Sequence, residues 1–66
     1  MGAPMSTGAE LSSLATALGE LTDRVSQLAE GLARDARDDL ATALYEVERS
    51  IGAAARRLES MVDDLR

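Results

Sequence analysis

The apolar residues of this 66-residue chain form a pattern that is mirrored about Ala36. On each side of Ala36, large apolar residues recur three and four residues apart, as they do on one face of an amphipathic helix. Each apolar residue of the repeat before Ala36 has an apolar counterpart at the same distance after it, so the numbers of each pair add to 72, as those of Leu32 and Leu40 do. A mirrored repeat of this kind lets a helix fold back on itself, because the two apolar seams then meet layer by layer.

We therefore predict an all-α fold, a two-helix antiparallel hairpin of the coiled-coil type. Residues 1–8 are small, include Pro4 and lack an apolar period, so we expect a flexible head followed by a hairpin over 9–66. Helix 1 is expected at about 9–34, the turn at about 35–38 and helix 2 at about 39–65. The predicted hairpin core is the mirrored apolar set: Leu11, Leu14, Leu18, Leu21, Val25, Leu28, Leu32, Leu40, Leu44, Val47, Ile51, Ala54, Leu58 and Met61.

The ends of the two helices carry capping residues, but the turn lacks the usual helix breakers. Ser6 or Thr7 can cap helix 1, and Asp35 or Asp38 can cap helix 2. The segment 33–39 contains neither Gly nor Pro. One unbroken helix that pairs in a parallel coiled coil, as a structural oligomerisation segment, is therefore the alternative fold.

A second stripe of helix 1 consists of small residues. We interpret this stripe as a face for association, because small side chains let another helix approach closely. A lone hairpin of this size has little core, and we expect a homo-oligomer, most simply a dimer that forms a four-helix bundle. Tyr45 is expected at the boundary of the seam, with its hydroxyl in water. The predicted interaction face is Ser12, Ala15, Gly19, Thr22, Ser26 and Ala29.

The composition excludes most enzyme chemistry. The chain has no His, no Cys and no Lys, since all seven of its basic residues are Arg. It therefore lacks an imidazole base, a thiol nucleophile, a Schiff-base lysine and the nitrogen and sulfur ligands of zinc sites. We expect no catalytic residues, no metal and no cofactor. The use of Arg alone suggests a GC-rich bacterial genome.

The charge and the hydropathy pattern narrow the choice of partners. Twelve acidic residues against seven Arg give a net charge of −5, and such a surface repels phosphate backbones. We expect no nucleic-acid binding. No apolar run is long enough to span a membrane, and the N-terminus does not resemble a signal peptide, so we expect a cytoplasmic protein without a membrane partner.

Two families share features with this chain. The length, the two helices and the turn D-A-R-D at 35–38 resemble the Rop-type plasmid RNA-binding hairpins, which dimerise into four-helix bundles; the resemblance implies that fold and an RNA ligand. The spacing of Ser60 and Asp64 resembles the S-x-x-x-D motif of small acidic hairpins that dephosphorylate response regulators. That resemblance implies a regulator of a signalling partner.

The sequence thus favours a non-enzymatic module for protein–protein interaction and oligomerisation, acting as a small regulatory or scaffold protein. Its expected partners are a second copy of the chain and one further helical protein. The RNA-binding hairpin and the regulator of a signalling partner are the alternative functions.

Overall fold

The computed structural model describes residues 6–66, which form two helices. Helix α1 runs over Thr7–Arg34 and helix α2 over Asp38–Asp64, with three residues between them. The two helices pack against each other along their lengths, which so short a connection allows only in an antiparallel arrangement. The predicted all-α hairpin is confirmed, and the alternative of one continuous helix is wrong. The first five residues of the predicted head lie outside the described part of the chain.

Helix α1 begins two residues earlier than expected because Ser6 caps it. The Ser6 backbone is extended, with φ −64° and ψ 157°, and its hydroxyl accepts a hydrogen bond of 3.1 Å from the backbone N–H of Ala9. This bond satisfies one of the free N–H groups at the helix start. Glu10 lies in the first turn, where its carboxylate faces the positive end of the helix dipole. Ser6, rather than Thr7, is therefore the N-cap of α1.

The turn is a Schellman motif built without glycine. Ala36 has a φ of 61°, and the N–H of Arg37 donates to the carbonyl of Leu32 at 2.8 Å. The N–H of Ala36 donates to the carbonyl of Ala33 at 3.2 Å, which gives both hydrogen bonds of the motif. The chain thus reverses at Ala36, the centre of the mirrored pattern.

Helix α2 starts without the predicted side-chain cap. Its N-cap is Arg37, which makes no capping side-chain hydrogen bond, and Asp38 is already the first helical residue. The Schellman motif places Arg37 at that position, so neither Asp35 nor Asp38 can serve as the cap. Asp38 and Asp39 instead place two carboxylates in the first turn, where the helix dipole favours them. The Nε of Arg37 lies 3.5 Å from a carboxylate oxygen of Asp39, in an exposed ion pair that contributes little to stability.

The seam between the helices is lined by alanine. The buried residues of the described chain are Ala15, Ala29, Ala41 and Ala55. Thr22 lies midway between the two alanines of α1 and Glu48 midway between those of α2, so each helix contributes one seam residue every seven positions. Small side chains at this spacing allow two helices to lie close together.

This seam differs from the predicted one, and half of the predicted core is exposed. One row of large apolar side chains lies at the edge of the seam and is half-buried: Leu11, Leu18, Val25, Leu32, Leu44, Ile51 and Leu58. The other row is exposed: Leu14, Leu21, Leu28, Leu40, Val47, Ala54 and Met61. Each helix carries an apolar stripe about 120° wide, and two helices in contact can cover only one edge of such a stripe.

Candidate association surface

The exposed apolar row lies on one side of the hairpin. We call this side the apolar face and define it by six residues: Leu14, Leu21, Leu28, Leu40, Val47 and Met61. Each is spaced in multiples of seven from its neighbours on the same helix, so each helix contributes one straight row. Because the helices are antiparallel and right-handed, residues one position before the seam project to the same side from both. The two rows therefore form one continuous surface together with the half-buried row between them.

The exposure of this surface is large for apolar side chains. Leu28 is 58% exposed, Leu14 55% and Met61 49%. At the open end of the hairpin, Leu11, Met61 and Leu65 line a shared shallow depression, which shows that the rows of α1 and α2 meet there. Single exposed leucines are common on protein surfaces, whereas contiguous apolar rows along two helices are not, and we therefore treat this side as the candidate association surface.

The rim of the apolar face is electrically neutral. At 100° per residue, the positions that border the exposed rows include Glu10 and Arg24 on α1 and Arg57 and Asp64 on α2. One acid and one Arg therefore flank each row, and the remaining rim positions are uncharged. The whole net charge of −5 is carried by residues away from this face and its rim.

The opposite side of the hairpin is polar. A groove there is lined by Thr22, Tyr45, Glu48, Arg49, Gly52 and Arg56. The Thr22 hydroxyl donates a hydrogen bond of 2.9 Å to the carbonyl of Leu18 in its own helix. Tyr45 is 42% exposed, as expected for a residue beside the seam. This side shows no apolar row comparable with that of the apolar face.

Glu48 is a polar residue in the alanine seam. Its Oε1 is buried and has no hydrogen-bond partner within the described residues. The nearest seam residues of α2 are Ala41 and Ala55, which are both buried. A carboxylate oxygen without a partner at such a position opposes folding, because burial removes its hydration. Arg49 and Arg56 line the same groove as Glu48.

The predicted interaction face is divided between the seam and the polar side. Ala29 is 0% and Ala15 7% exposed, so both are already covered by the other helix of the same chain. Thr22 and Ser26 are half-buried, whereas Ser12 and Gly19 are exposed. This corrects the assignment of the two stripes: Ala15, Thr22 and Ala29 of the small stripe lie in the seam of the hairpin, and the outer row of the predicted core is left open. The reason is that small residues allow a closer helix contact than leucines.

The residues of the alanine seam form a second mirrored set in the sequence, which corresponds to the observed packing of the two helices. The seam residues pair so that their numbers add to 70, as those of Ala29 and Ala41 do. Ala15 with Ala55 and Thr22 with Glu48 give the same total. The small size and the spacing of seven are visible in the sequence, but Glu48 interrupts the series. The mirrored set of large apolar residues is therefore the stronger signal for a hairpin core in the sequence.

The described residues were compared with the requirements of a metal site and of a membrane-spanning helix. Between residues 6 and 66, no group of three or more His, Cys, Asp or Glu side chains is arranged to hold a metal ion. Neither α1 nor α2 is apolar over a length that could cross a bilayer. Comparison of the chain with protein-family models, curated proteins and solved structures found no match.

Proposed function

We propose that this protein is a non-enzymatic association module, which acts by docking its apolar face onto another helical surface. The observation that carries the proposal is the apolar face itself, whose six large side chains the hairpin leaves between 41% and 58% exposed. We assign the protein a small regulatory or scaffold role, because the hairpin offers a surface for binding.

The free energy available from covering this face is of the same order as that of a micromolar complex. Complete burial of a large apolar side chain contributes about 1.5–3 kcal/mol. Covering the exposed half of six such side chains therefore contributes roughly 5–9 kcal/mol, against about 8 kcal/mol for a micromolar complex. The half-buried row would add to this when covered, whereas the loss of freedom on association opposes it.

Neither alternative function is favoured by a feature of the structure. A nucleic-acid ligand would need basic side chains, but α1 carries Arg24 and Arg34 against four acidic residues. Ser60 and Asp64, which resemble the phosphatase motif, are both exposed near the end of α2.

Photo-crosslinking in living cells tests the proposal. A photo-activatable amino acid is placed on the apolar face, at Leu21 or Leu28, and at the adjacent polar positions Glu20 and Gln27 as matched controls. We expect adducts, to this chain or to another protein, from the face positions and few from the controls. Equal adduct yields at face and control positions would contradict the proposed function.

A further inference from the structure

Three properties indicate which partner covers the apolar face: the area of the face, the single-layer thickness of the hairpin and the neutral charge of the rim. We propose that a second copy of this chain covers it, face to face, so that two hairpins form a four-helix bundle related by a two-fold axis. This inference rests on the proposed function and names the partner of the same surface.

The apolar face has the area of one side of a specific dimer interface. Helix α1 has 28 residues and α2 has 27, which gives a length of about 40 Å at 1.5 Å per residue. Two packed helices present a width of about 18–20 Å, since each is about 10 Å across. One side of the hairpin thus offers roughly 700–800 Å², and a stable protein–protein interface buries about 800 Å² on each partner. Complete face-to-face stacking of two hairpins therefore reaches the size that a specific dimer needs.

The hairpin is a single layer of two helices. Its smallest dimension is 10 Å, and no large side chain of the described residues is fully buried. Stable domains are normally built from two layers with the apolar side chains between them. A second hairpin supplies the missing layer, and its leucine rows have the same spacing of seven. Side chains of one copy can therefore interdigitate with those of the other.

The neutral rim of the apolar face favours a second copy over a charged partner. An anionic lipid surface or a nucleic acid would require flanking Lys or Arg in excess. A partner of strong opposite charge would require a rim with a net charge. One acid and one Arg beside each row instead suit a surface that meets its own copy, because the acidic regions of both chains then remain on the outside of the bundle.

Sedimentation equilibrium of the full chain tests this inference. Between about 1 and 100 µM, the range in which a micromolar dimer forms, we expect the mass to rise to twice 7.0 kDa. Leu28→Glu should weaken dimerisation by at least about a hundredfold, since it would bury a charge, whereas Gln27→Glu adds the same charge on the outside and should have no effect. A helical wild-type chain that stays at 7.0 kDa throughout would overturn the inference.

A second variant keeps the test decisive if Leu28→Glu fails to fold. Leu28→Ala preserves the helix propensity and removes only apolar volume, so we expect the dimer dissociation constant to rise by about tenfold or more while helicity at high concentration is retained. Gln27→Ala is the matched control. If Leu28→Ala leaves the dissociation constant unchanged, the dimer does not use this face. If the pure chain is monomeric but position 28 crosslinks to another protein in cells, the second copy is excluded and the proposed function stands.

Discussion

The backbone N–H of Arg37 donates a hydrogen bond of 2.8 Å to the carbonyl oxygen of Leu32, and this bond closes the turn of the hairpin. Between the two residues lies Ala36, whose φ of 61° falls in the left-handed region. An L-residue with a Cβ pays about 1–2 kcal/mol there, whereas glycine adopts this conformation readily.

Replacement of Ala36 by glycine should therefore stabilise the protein. We expect Ala36→Gly to raise the free energy of unfolding by up to about 1 kcal/mol, because relief of the left-handed strain exceeds the added entropy of the unfolded chain. Ala36→Val should lower it, since a β-branched residue is strained further. Urea denaturation measures both changes. Ala43→Gly, at an exposed position within α2, is the control and should cost about 1 kcal/mol; a loss of stability in Ala36→Gly would contradict the prediction.

Removal of the Ser6 cap should destabilise the start of α1. In Ser6→Ala the N–H of Ala9 loses its 3.1 Å hydrogen bond to the serine hydroxyl, at an expected cost of about 1 kcal/mol. Ser6→Asp should retain the stability, because aspartate also caps. The measurement is the thermal midpoint by circular dichroism. Ser13→Ala, on the exposed surface of the same helix, should not lower it, and equal midpoints for Ser6→Ala and wild type would argue against the cap.

Enlargement of the alanine seam should force the helices apart. Ala29 is 0% exposed, so Ala29→Leu inserts a large side chain into a filled contact and should cost about 1–3 kcal/mol. Ala9→Leu adds the same side chain at an exposed position of α1 and should change stability by less than about 0.5 kcal/mol. Chemical denaturation distinguishes the two. Comparable stabilities of both variants would show that the seam tolerates large residues and that the small stripe is not the packing contact.

Completion of the alanine seam at Glu48 should stabilise the hairpin. Glu48→Ala removes a buried carboxylate oxygen that has no partner within the described residues, and it introduces the best helix former. We expect a gain of about 1 kcal/mol or more, from the recovered desolvation cost and the helix propensity. Glu46→Ala, at an exposed site of the same helix, reports the propensity contribution alone. A gain no larger for Glu48→Ala than for Glu46→Ala would show that burial at position 48 has no cost.

The helices and the turn could be predicted from the sequence because local signals determine them. The three-four spacing of leucines sets the helical faces, Ser6 marks the first helix start, and the mirror locates the reversal at Ala36. The details of the turn are less accessible, because alanine rarely adopts a positive φ and no glycine marks the C-terminus of α1. The shift of the α2 cap from Asp38 to Arg37 follows from that unusual conformation.

Which stripe closes the hairpin was decided by the tertiary structure. The sequence contains two mirrored sets, one that pairs Leu14 with Leu58 and one that pairs Ala15 with Ala55, and a rotation of each helix by part of a turn exchanges them. Hydrophobicity ranks the leucines first, since it measures the gain from burial and not the distance at which two helix axes settle. In the folded chain the alanines allow the closer contact, and the outer row of large apolar residues is left as an open surface while the inner row is half-buried beside the seam. The choice depends on the rotation and separation of the two helices, which are properties of their packing rather than of either helix alone.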